Sequence, residues 1–71
     1  MLSNPYESRK IAEEVAKNYA QEHKISKIIL ILEPKKGLYY FSDQDQALNN
    51  KMIAFRKLKL IRGKWKDRTL T

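Results

Sequence analysis

The period at which apolar residues recur changes along the chain, and each change marks an element. Ile11, Ala12, Val15, Ala16 and Tyr19, with Ser8 below them, follow at spacings of three and four, the pattern of one helix face. Asn4-Pro5-Tyr6-Glu7 reads as the start of that helix: Asn4 as cap, Pro5 at the first helical position where its missing N–H costs nothing, Glu7 reaching back as in a capping box. The spacing predicts a helix over residues 5–23. Glu13 and Lys17 form a favourable pair on its solvated side.

From Ile28 to Leu32 every position is apolar. Such a run can bury both of its faces, which predicts a central strand. Glu33-Pro34-Lys35-Lys36-Gly37 supplies a preset φ and a residue free to take positive φ, and Leu38-Tyr39-Tyr40-Phe41 follows at once. This is a β-hairpin with a four-residue loop. A helix covers only one face of it, so the other calls for the C-terminal segment, a second copy of the chain or a ligand.

Ser42-Asp43-Gln44-Asp45 repeats the helix-start chemistry, and Ala47, Leu48, Lys51, Met52 and Phe55 follow at helical spacing. A second helix is expected over residues 43–54, weakened at Asn49-Asn50. Beyond it, Lys and Leu alternate from Lys57 to Ile61, Gly63-Lys64 has the form of a two-residue turn, and Trp65 to Leu70 alternates again. That pattern predicts a second hairpin; the competing reading continues the helix to Ile61. The expected fold class is α+β, a small single domain of order α-β-β-α-β-β, with α-β-β-α and a long basic C-terminal helix as the alternative.

Charge adds the main functional signal. Residues 51–71 hold eight basic residues against one acid, Asp67, whereas the first fifty hold seven of each, so the whole net charge of +7 lies in the C-terminal segment. Such an asymmetry points to a polyanionic partner. With Gly63-Lys64 as the turn, Arg62 stands opposite Trp65, Ile61 opposite Lys66, Leu60 opposite Asp67 and Lys59 opposite Arg68. Lys57, Lys59, Lys66 and Arg68 then share one face with Ile61 and Leu70, while Leu58, Leu60, Arg62 and Trp65 share the other. Like charges directly across a ladder are unfavourable unless an anion bridges them.

The candidate interface is therefore Lys57, Lys59, Arg62, Lys64, Lys66 and Arg68 on phosphates, with Trp65 stacking on a base. Single- or double-stranded nucleic acid is the first partner class, then an acidic protein. An anionic membrane comes last because an alternating strand lacks a deep apolar face. A plainer explanation is that edge lysines prevent association and keep a small protein soluble. Eight bases against one acid exceed that need. Of the aromatic residues, Phe41 and one of Tyr39 and Tyr40 are expected in the core. The second function class is a small interaction or inhibitory protein that dimerises, or grips a partner, through the uncovered apolar hairpin face. A core from 71 residues is marginal enough to favour self-association.

Catalytic chemistry is sparse. His23, the sole histidine, falls at the end of the first helix, where a cation suits the dipole. Glu33, Asp43 and Asp45 have no metal-site spacing, and there is no cysteine, nucleophile elbow or phosphate loop. A metal-independent ribonuclease built from His23, Arg68 and a tyrosine is the one enzyme reading; a non-enzyme with no cofactor and no metal is the expectation. The start lacks an apolar run behind a basic cluster, the longest apolar run is far too short to span a bilayer, and an apolar share of 42% is too high for a disordered tail. A cytoplasmic protein is expected.

Overall fold

The continuous apolar run becomes an inner strand of the sheet. In a computed structural model, which describes residues 1–44 and 49–70, β1 (Lys27–Glu33) pairs with β2 (Leu38–Ser42) on one side and β3 (Ile53–Ile61) on the other. β3 pairs in turn with β4 (Lys64–Thr69), giving the order β2-β1-β3-β4 with every pair antiparallel. The one helix among the described residues, α1 (Arg9–Glu22), lies across β1 and β2. The architecture is α+β.

Alternation sorts the sheet into two faces. On the helix side, Ile28 and Leu30 of β1, Phe41 of β2 and Leu58 of β3 pack with Ala16 and Ala20 of α1. Ile28, Leu30 and Leu58 are almost wholly buried, each contributing roughly 1.5–3 kcal/mol. The buried helix stripe is Ala12, Ala16 and Ala20. Small side chains let the helix sit close to the sheet, and Ile11, expected in the stripe, is instead 52% exposed. On the far side Ile29, Ile31 and Tyr40 form a second cluster with Leu38, Met52 and Ala54 against it. These three are already shielded. Among the described residues, these three side chains of the hairpin therefore present no open apolar surface.

The first hairpin has its expected loop: Glu33 pairs with Leu38, Gly37 takes φ +63°, and the Gly37 N–H donates to the Glu33 carbonyl at 2.9 Å. The N-terminus corrects the sequence reading. Ser8, not Asn4, caps α1, accepting from the Ile11 N–H at 3.3 Å. Residues ahead of it run along the outer edge of β2, with bridges Leu2 to Ser42 and Tyr6 to Tyr39. Pro5, which lacks an N–H, suits this irregular edge better than a helix start. At the other end, the Lys24 N–H bonds to the Gln21 carbonyl and the Ile25 N–H to the Ala20 carbonyl, with Lys24 at φ +55°. This is a Schellman closure made without glycine.

The second helix expected over residues 43–54 is not formed as read. Residues 45–48, including Asp45, Ala47 and Leu48, lie outside the described residues. Around them, residues 43–44 form a bend, residues 50–51 a turn, and Ile53 and Ala54 are strand. Asn49 accounts for the turn: its side chain accepts from the Lys51 N–H at 2.8 Å and its carbonyl from the Met52 N–H at 3.1 Å. An Asx turn of this kind competes with helix. The alternative of a long basic C-terminal helix is likewise excluded, since residues 53–61 and 64–69 are strands.

Candidate nucleic-acid interface

The basic segment is a β-hairpin, with its turn one residue earlier than expected. Ile61 pairs with Lys64, so Arg62 and Gly63 form the turn, at φ +52° and +78°. Two consecutive positive φ values are those of a type I′ turn, whose twist matches that of the strands it joins. The partners change accordingly: Trp65 faces Leu60, Lys66 faces Lys59, Asp67 faces Leu58 and Arg68 faces Lys57. The shift moves each partner by two residues, so the paired side chains keep their expected faces, while Arg62, expected on the face of Trp65, moves into the turn.

Lys57, Lys59, Lys64, Lys66 and Arg68 consequently project from the face away from α1, joined by Ile61. Lys59, Lys64, Lys66 and Arg68 are exposed and Lys57 is half-buried. A shallow groove of about 190 Å³ runs among Lys57, Lys59, Lys66, Asp67 and Arg68. None of the five cations has an ion-pair partner among the described residues. Lys57 opposite Arg68 and Lys59 opposite Lys66 are two successive like-charge pairs.

The segment's one acid does not relieve this repulsion. Asp67 turns to the helix side, where its carboxylate accepts a hydrogen bond from Arg56. Arg56 is brought there by a bulge: β3 pairs Ala54 with Ile31 and Arg56 with Leu30, leaving Phe55 unpaired between them. The freed Phe55 ring packs against Tyr39 and lies under the Arg9 guanidinium, 5.3 Å away.

The other candidates are distributed elsewhere. Arg62 sits at the exposed hairpin tip. Trp65 is on the helix side, half-buried against the core and next to a cavity of about 240 Å³ lined with Gln21, Leu60 and Gly63. It therefore stands across the sheet from the lysines. Lys27 was missed by sequence reasoning: it pairs with Lys59 and so falls in line with Lys59 and Lys66 across three strands. Only the non-local pairing of β1 with β3 brings it there, and it is engaged in an interaction of its own.

The residues considered for catalysis are not assembled. His23 caps α1 with its ring 4.2 Å from that of Tyr19, whereas Arg68 projects from the opposite side of the sheet. Asp43 holds the N-terminal ammonium at 3.2 Å, and Glu33 accepts from the Tyr40 hydroxyl at 2.8 Å with Lys36 at 4.0 Å. Among the described residues no three acidic or histidine side chains converge. No family model, curated protein or solved structure matches this chain.

Proposed function

We propose that this protein is a small non-enzymatic nucleic-acid-binding module. Its contact surface is the outer face of the β3–β4 hairpin, with Lys57, Lys59, Lys64, Lys66 and Arg68 neutralising phosphates and Arg62 adding a cation at the tip. The observation that carries this reading is the convergence of five basic side chains on one sheet face, unpaired among the described residues, with the segment's one acid turned to the other side. Solubility alone needs charge dispersed over the surface. Two like-charge pairs in direct opposition are an unfavourable way to obtain it, and a bridging polyanion removes the conflict.

Contacts of this type fix position without reading sequence. Affinity is expected to vary little with base composition and to fall steeply with salt. If about five phosphates are engaged, the slope of log affinity against log salt is roughly −4.5 on duplex or −3.5 on a single strand. Fluorescence anisotropy over a salt titration tests this. A flat response, or no binding to any DNA or RNA at low salt, removes the proposal.

A further inference from the structure

The basic face carries cations but no ring on which a base could stack. Of the seven aromatic side chains, only Tyr40 projects from that side of the sheet; it is 9% exposed and its hydroxyl is tied to Glu33. Phe41 packs with Tyr6 and Tyr19 on the helix side, and Tyr39 with Phe55. Trp65, opposite Leu60, belongs to the helix side as well.

We infer that the partner of this face is a double-stranded nucleic acid, DNA or RNA, held by its phosphates, and not a single strand. The inference rests on the nucleic-acid reading above and narrows it. A single strand must be ordered on binding, which costs conformational entropy. Proteins that bind single strands offset that cost largely by stacking, at roughly 1–3 kcal/mol per base on an aromatic side chain. Here that contribution is missing.

A duplex arrives with its phosphates already in rigid rows, so little further ordering is needed. On the protein side the sheet fixes the backbone positions that carry the cations. Lys57 with Arg68, Lys59 with Lys66, and Lys64 lie in successive rows, about 6.7 Å apart along the strands and about 4.8 Å apart between them. A cationic array whose spacing is set by the sheet, meeting a phosphate array whose spacing is set by the duplex, leaves only the side chains to be ordered.

Trp65 is the only tryptophan, which gives a built-in reporter for the test. Labelled DNA duplex, RNA duplex and their component single strands, each about two helical turns in length, are titrated with the full chain at low salt. Anisotropy and Trp65 emission are followed together. At least one duplex is expected to bind about tenfold tighter or more than its own strands, with Trp65 emission steady at saturation. The two duplex arms distinguish DNA from RNA.

Single strands that bind as tightly as the duplexes overturn the inference while leaving the nucleic-acid reading in place. Quenching of Trp65 by a duplex overturns it too, because the contact would then lie on the wrong side of the sheet. Failure of all the oligonucleotides to bind removes both. A Lys59→Glu/Lys66→Glu variant, checked for native circular dichroism, is expected to lose most duplex binding; unchanged binding would also overturn the inference.

Discussion

Lys59 stands directly opposite Lys66 across the β3–β4 ladder, and the neighbouring pair, Lys57 with Arg68, repeats the conflict. Like charges in that relation are unfavourable by roughly 0.2–1 kcal/mol per pair. Lys66→Glu converts repulsion into attraction. It is expected to raise the unfolding free energy by about 0.5–1 kcal/mol while weakening nucleic-acid binding. Urea denaturation and anisotropy measure the two effects on one sample. Gained stability with undiminished affinity would show that the face is not a binding surface.

Salt dependence gives a finer test. Removing one phosphate contact reduces the magnitude of the duplex salt slope by about 0.9. Lys59→Gln and Lys66→Gln are each expected to do so. Lys10→Gln, which removes an exposed cation from the first turn of α1, should lower affinity slightly and leave the slope near its original value. Equal slopes in all three variants would mean that net charge, and not the hairpin face, governs binding.

Much of the sheet was legible because strand signals are local. The apolar run Ile28 to Leu32, the four-residue loop before Leu38 and the Lys–Leu alternation after Phe55 each identify a strand from a few neighbours. The membership of the basic face survived an error in the turn, since moving the turn by one residue shifts each partner by two and preserves parity. Helix ends were less legible. Asn4-Pro5 and Ser8 are both competent starts, and the choice depends on whether residues 2–6 find a sheet edge to pair with. Sequence spacing near Asn4 does not contain the outer edge of β2. Nor does spacing around residue 27 reveal that β1 and β3 are neighbours, which is why Lys27 went unnoticed. The second helix failed where Asn49 turns the chain back on itself and the β-branched Ile53 continues as strand.

Tyr40 and Glu33 make a second, independent prediction about the outer face. The hydrogen bond to Glu33, then burial, then the Glu33 charge push the Tyr40 hydroxyl above its ordinary value of 10.0. A folded value above the unfolded one means that the interaction contributes in full below pH 10 and is lost as pH rises through the folded value. The stability difference between wild type and Tyr40→Phe is therefore expected to be constant at neutral pH and to shrink above about pH 10. Chemical denaturation across the alkaline range measures it. A difference that stays constant throughout would contradict the role given to this pair.

Arg62 occupies the first central position of the hairpin turn at φ +52°, followed by Gly63 at +78°. Asparagine and glycine are the residues that such a turn favours, and another L-residue held there is strained by about 1 kcal/mol. Arg62→Asn keeps the turn and relieves that strain, so a gain of roughly 0.5–1 kcal/mol is expected. Duplex affinity should fall, because a cation is lost from the tip. Lys24 provides the control: it holds φ +55° at the end of α1, outside the hairpin. Lys24→Gly should gain comparable stability with a smaller loss of affinity. If the two variants lower affinity equally, Arg62 acts through net charge alone, and its departure from the preferred Asn-Gly turn has no explanation in binding.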